Sequence, residues 1–264
     1  MAAHRHRERE REMESKIEAA TGKLVVKKVG GKSTVTRCFS KYPLKFIIPN
    51  KGDSISCEIT VADACTAVLT TQASTKVYKS LGSKSSEQIL EKQIFRVVLD
   101  SSLVIVDWIT SGRHESGEKW DFELYRSTNH IFLEGDQPLF LDSVLLEQGS
   151  ITNIAERMQD YQVIAMVILL GPKLKQIQIQ VQENVRRMMS EQLYLPSTGL
   201  RPHGKTQSDH FLAKPSFVVS CSAFGPKGIG IVVRIAAMTT ESVYRFLQHQ
   251  LTGMETLLGV SPYS

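Results

Sequence analysis

V-D-W-I-T-S-G-R-H-E-S-G-E-K-W-D-F-E-L-Y-R-S-T-N-H-I-F-L-E-G, residues Val106–Gly135, is the stretch that decides the fold. An apolar run ends at Trp108 and Ile109 and is broken by Thr110, Ser111 and Gly112. A charged turn follows through Arg113, His114, Glu115, Gly117, Glu118 and Lys119. Period-two alternation then sets Trp120, Phe122 and Leu124 against Asp121, Glu123 and Tyr125, the pattern of a half-buried strand. The spacing predicts two strands joined by a glycine-flanked loop, a turn at Ser127–Asn129, and a third strand over Ile131–Leu133.

Outward from this stretch the same grammar repeats. Gly30-Gly31 between Leu24–Val29 and Ser33–Phe39 is a hairpin signal. Leu44–Ile48 is bounded by Pro43 and Pro49. Ser54–Val61 alternates cleanly, and strands are expected at Cys65–Thr71 and Thr75–Lys79. Ile94–Leu99 and Leu103–Ile109 are apolar on both faces, as central strands are. Pro138–Leu146, Tyr161–Leu170, Phe217–Ala223 and Ile229–Ala237 complete the set. Two helices are expected in the C-terminal half. One spans Lys173 to about Leu193, with a stripe of Leu174, Ile177, Val181, Val185 and Met188. The other is capped at Thr239 or Thr240, with a stripe ending in Met254, Leu257 and Leu258. Neither helix alternates with strands, so a doubly wound α/β sheet is excluded. The expected class is mainly β: a sandwich or a wound, solenoid-like β body with two helices, in one domain over residues 22–264. Residues 1–21 form a charged tail whose first sixteen positions alternate Arg and Glu.

Composition bounds the function. A net charge of +5 is spread along 264 residues, which argues against nucleic acid. The longest apolar run, Val163–Leu170, is too short to cross a bilayer, so no membrane role is expected. Cys38, Cys57, Cys65 and Cys221 show neither metal-ligand spacing nor disulfide density, which suits a cytoplasmic protein with no bound cofactor. The N-terminal stretch lacks the apolar centre of a secretory signal and is too acidic for a transit peptide.

Three constellations invite a chemical reading. His114, Glu115 and Glu118 share two letters with a metalloprotease motif but lack its second histidine, and they lie on a loop. Glu115 and Glu118 could serve as a hydrolase carboxylate pair, although such pairs normally sit on separate strands. An Arg113–Glu118 ion pair between Gly112 and Gly117 explains the same residues as architecture. Gly225-Pro226-Lys227-Gly228 precedes a strand and reads as a hairpin turn, whereas phosphate loops open a helix. On the strand Thr70–Lys79, Gln72, Lys76 and Tyr78 share a face of amide, ammonium and phenol, suited to a protein partner or a wet channel.

Taken together, T-T-Q-A-S-T-K-V-Y-K (Thr70–Lys79), G-R-H-E-S-G-E-K-W (Gly112–Trp120) and S-K-Y-P-L-K-F (Ser40–Phe46) resemble the urease accessory protein D family, especially its plant members. The order continues through Gly171-Pro172 and the late helices. The resemblance implies a β-rich scaffold without enzymatic activity that supports nickel insertion into urease. It implies as partners apo-urease, the helical accessory protein F and, through F, the GTPase accessory protein G. Nickel would be in transit, not permanently bound. Carried onto this chain, Thr70, Gln72, Glu115 and Glu118 are candidates for a nickel path. Thr71, Lys76, Tyr78, Gly112, Arg113, Gly117 and Trp120 are candidates for partner contact. The readings outside this class are a β-sandwich hydrolase using the Gly112–Trp120 carboxylates and a generic β-rich interaction module. This chain also lacks two family segments, one before Gly52-Asp53 and one between Gln93 and Ile94. Their loss is expected to leave Ser54–Val61 and Ile94–Leu99 with unpaired edges.

Overall fold

The computed structural model describes residues 21–39, 54–70, 75–76, 88–112, 114, 117–193, 215–258 and 262–263. Twelve strands among them form two mixed sheets. In the first sheet the order is β2 (Lys32–Phe39), β1 (Thr21–Val29), β3 (Ser54–Val61), β6 (Gln88–Val97), β8 (Leu124–Leu133) and β9 (Gln137–Glu147). In the second it is β11 (Phe217–Phe224), β12 (Gly230–Ala237), β10 (Val163–Leu170), β7 (Ser102–Thr110) and β4 (Thr66–Thr70). The two-residue β5 (Thr75–Lys76) also lies along β7.

Between β3 and β8 the chain winds. It visits the first sheet at β3, the second at β4 and β5, then the first at β6, the second at β7 and the first again at β8. Neighbours laid down this way are parallel: β3 with β6, β6 with β8, β4 with β7. This is the solenoid-like alternative within the expected mainly-β class. Antiparallel strands then close it, β9 on β8 and β10 on β7.

The winding puts apolar side chains of both sheets face to face. Ile59, Val61, Phe95, Val97 and Ile131 meet Leu103, Ile105, Met166, Ile168 and Val232 in one buried cluster. A second cluster lies on the other face of the second sheet. There Val104, Val106, Trp108, Val167 and Val233 pack under α2 (Lys175–Leu193) and α3 (Thr240–Leu251). Strand β7 therefore buries all nine of its residues. The stripe is as expected, with Leu174 on the turn that enters α2 and Ile177, Val181 and Val185 on α2 itself all inward. Thr239 caps α3, its hydroxyl accepting from the Ser242 backbone N–H at 3.2 Å. Leu257 and Leu258, read as part of the last stripe, fall on the short α4 (Glu255–Leu258) and are exposed.

Four sequence readings need correction. Ser127–Asn129 is no turn but the middle of the ten-residue β8. Trp120 does not start a strand; it has a left-handed φ of 54° and precedes β8 by four residues. A short helix, α1 (Ile154–Met158), was missed, although Asn153 and Glu156 form a capping box around it. Strands β3 and β6 carry no open edge, because β3 pairs with β1 and β6 while β6 pairs with β3 and β8. The expected Leu44–Ile48 strand and residues 1–20 lie outside the described residues.

Gly171 closes β10 against the turn that enters β7. Its φ is 103°, and a Cβ there would sit 2.1 Å from the Ser101 carbonyl oxygen. Gly171→Ala is expected to destabilise the protein by about 2–4 kcal/mol, from left-handed strain plus a backbone clash. A denaturant midpoint equal to wild type would show that this junction yields freely.

Candidate functional site

Alternation dictates that one side chain in two of β7 faces the space between the sheets. Leu103, Ile105, Asp107 and Ile109 take those positions, so the sequence drives a carboxylate into the core. Asp107 is 9% exposed. An unpartnered buried carboxylate would be prohibitive, and the facing strand supplies donors. The Ser127 hydroxyl donates to Asp107 Oδ2 at 3.3 Å, and the Asn129 amide reaches the same oxygen at 3.5 Å. Both donors come from the stretch read as a turn.

One strand further, Glu91 of β6 accepts a hydrogen bond from the Tyr125 hydroxyl at 3.1 Å. Tyr125 is 1% exposed. Asp107, Tyr125, Ser127 and Asn129 line a cavity of about 30 Å³, with Val144, Ile164 and Met166 as apolar wall. Burial and the charge of Asp107 push the Glu91 carboxyl up to about 8, against a smaller lowering by its bond to Tyr125. Burial likewise raises Asp107, partly offset by its bonds from Asn129 and Ser127. Tyr125 rises well above its ordinary range, through burial first and then the Glu91 and Asp107 charges.

Strand registers extend this cluster into a polar row. Across the first sheet, Cys57 neighbours Gln93, Gln93 neighbours Asn129, and Asn129 neighbours Asp142. Across the second, Asp107 neighbours Met166, which neighbours Arg234. The row ends where Arg234 donates to Asp142 Oδ1 at 2.5 Å, joining the two sheets. Asn129 Oδ1 and Asp142 Oδ2 are buried and make no hydrogen bond to protein.

The residues singled out from sequence fall around this interior, not within it. Thr70 is exposed at the end of β4, opposite Val106, and Lys76 in β5 lies opposite Thr110. The motif they belong to thus brackets the part of β7 that carries Asp107. Gly112 and Gly117 have φ of 89° and 80°, as the turn requires, and the Gly117 N–H closes it on the His114 carbonyl at 2.9 Å. Glu118 is part-buried. Trp120, a partner candidate, is 2% exposed and anchors a small core with Phe122, Tyr125 and Ile154. Its indole donates to the Tyr161 carbonyl at 2.9 Å. That position rules it out as an exposed contact. Thr71, Gln72, Tyr78, Arg113 and Glu115 lie outside the described residues. Among the described residues, no three His, Cys, Asp or Glu side chains gather closely enough to hold a metal ion. No described helix is long and apolar enough to cross a membrane.

A wound two-sheet β body with helices on one face and a polar core is thus the class that the fold and site define. The chain matches the family described as UreD urease accessory protein over residues 18–96 and 88–263. It is 56% identical to the urease accessory protein D of Arabidopsis thaliana over 93% of this chain and all of that protein. It is 50% identical to that of Oryza sativa subsp. japonica over 95% of this chain and 96% of the relative. A bacterial urease accessory protein UreD from Anaeromyxobacter sp. is 23% identical over 95% of the chain. The chain belongs to the urease accessory protein D family, which supports a role in urease maturation. The Arabidopsis comparison runs over 293 positions, whereas 93% of 264 residues is about 246, so about 47 positions have no counterpart here. The two family matches overlap within β6, where one missing segment was located from sequence.

Glu91 gives the site a pH signature. Its folded pKa of about 8 lies above the unfolded value of 4.5, so between them the folded state holds more protons. Stability is then greatest below about 4.5 from this group and falls as pH rises towards 8. Glu91→Gln should gain stability relative to wild type as pH is raised from 5 to 8, by urea denaturation. Parallel curves would mean the carboxylate is solvated.

Proposed function

We propose that this chain is a cytoplasmic, non-enzymatic scaffold that docks on apo-urease, engages the helical accessory protein F and, through it, the GTPase accessory protein G. Nickel passes through its interior towards urease as cargo. Family membership supports the maturation role, and the polar row between the sheets is the observation that supports an interior route. An apolar sandwich core has no need of Gln93, Asn129 and Asp142 in register, nor of Asp107 and Glu91 bonded beside them. Carboxylate and amide oxygens spaced along a row offer a divalent cation successive weak contacts, without the closed shell that would hold it. The route then runs deeper than Thr70 and Glu118, the described members of the sequence-derived set. In this reading those two residues sit at its margins, and Lys76, Gly112 and Gly117 shape the adjoining edge.

Two measurements test this. Co-purification with apo-urease and accessory protein F is expected; failure to recover either overturns the scaffold. Activation of urease by the assembled proteins and nickel should fall at least tenfold for Asp107→Asn, while co-purification persists. Undiminished activation by a stably folded Asp107→Asn would put the route elsewhere.

A further inference from the structure

The two sheets are unequally covered. Helices α2 and α3 lie over the second sheet, whereas among the described residues no helix lies over the outer face of the first. On that face the registers set three rows: Ile94, His130 and Leu141; then Lys92, Thr128 and Ser143; then Leu90, Arg126 and Leu145. A solvated sheet face is normally polar, yet Leu141 is 57% and Leu145 53% exposed on the edge strand β9. Leu90, at the inner end of the third row, is buried.

The charge on these rows has one sign. None of the nine positions is acidic, and Lys92 and Arg126 make no ion pair with a described residue. Glu58 and Asp136 are both held by Arg96, and Glu147, beside Leu124 one row beyond Arg126 and Leu145, is the carboxylate that bounds the face. His130 registers the imbalance: its pKa is lowered, by burial first and then by the Lys92 and Arg126 charges. Inward-facing Asp142 is the opposing influence, and it is paired with Arg234.

We propose that this outer face, centred on Lys92, Arg126, Leu141 and Leu145, docks an acidic protein surface that also presents apolar side chains. Carboxylates of the partner meet the two cations, and its apolar groups cover the two leucines. The four side chains span three rows of the sheet and three strands, the scale of an interface centre, which a standard interface surrounds with a rim. Complementary charge speeds association and makes it salt-sensitive, while the leucines slow release.

The identity of the partner rests on the maturation reading, so apo-urease is the probe, with anionic vesicles and duplex DNA as separate arms. Binding of the full chain to apo-urease is measured by surface-immobilised kinetics at low and high salt. Lys92→Glu/Arg126→Glu should weaken binding at least tenfold and flatten its salt dependence. Leu141→Ser/Leu145→Ser should raise the dissociation rate at least fivefold, and Lys92→Arg/Arg126→Lys should restore wild-type behaviour. Far-ultraviolet circular dichroism and thermal melts confirm folding. Arg186→Glu/Met189→Ser on exposed α2 should leave this interaction unchanged. Wild-type binding unaffected by the first two variants overturns this docking face and leaves the maturation reading standing. Absence of wild-type binding overturns both. Tighter binding to vesicles or DNA than to apo-urease overturns the protein occupant.

Discussion

The burial of β7 on both faces is the constraint from which the rest of the structure follows. A strand with nine buried residues cannot slip: moving it one position would exchange Asp107 with Trp108 or Val106. The carboxylate would then face the helices, and a large side chain would enter a cavity of about 30 Å³. Ser127 and Asn129 meet Asp107 in one register only, so this polar contact fixes how the sheets stack. Buried polar groups act here as a register mark, at a cost in stability that an apolar pair would avoid.

Winding explains why the family can differ in length inside its β body. Each pass between sheets adds a strand parallel to the one before, so ladder partners come from the preceding and following passes. Here one absent stretch falls before β3 and the other inside β6, and the strands around them have closed on each other. That is the state of β3 and β6, both paired on two sides although about 47 aligned positions of the Arabidopsis relative are absent. The expectation of raw edges treated strands as having fixed partners. In a coil the partner is whichever strand arrives next.

Element positions were legible wherever one physical signal dominated. The glycine hairpins, the α2 stripe and the Thr239 cap are local, and local chemistry decides them. The site was not legible, for three reasons visible in particular residues. Asp107 sits in a run apolar on both faces and was absorbed into it. Ser127 and Asn129 are turn formers by propensity, and only a facing carboxylate makes them strand residues. Glu91 belongs to a segment whose charged neighbour Lys92 faces solvent, so alternation hid its direction. One signal could have found them: Tyr125, Ser127, Asn129 and Ile131 are spaced by two, on one face of β8. Trp120 failed in the opposite sense, since its motif suggested contact while its indole is committed to the Tyr161 carbonyl.

The interior carries more acceptors than donors. Glu91 and Asp107 offer four carboxylate oxygens, and Asn129 Oδ1 and Asp142 Oδ2 add two that no protein group satisfies. Against them stand the Tyr125 and Ser127 hydroxyls, the Asn129 and Gln93 amides, the Trp108 backbone N–H on Asp107 and, at the exposed end, Arg234. Such a surplus is settled by protons on the carboxyls or by a positive guest among the oxygens. The raised pKa values of Glu91 and Asp107 express the first solution. In the proposed role a divalent cation in passage would be the second, competing with protons for the same lone pairs. At neutral pH a proton on Glu91 would weaken its contact with such a cation, as a carrier requires and a storage site does not.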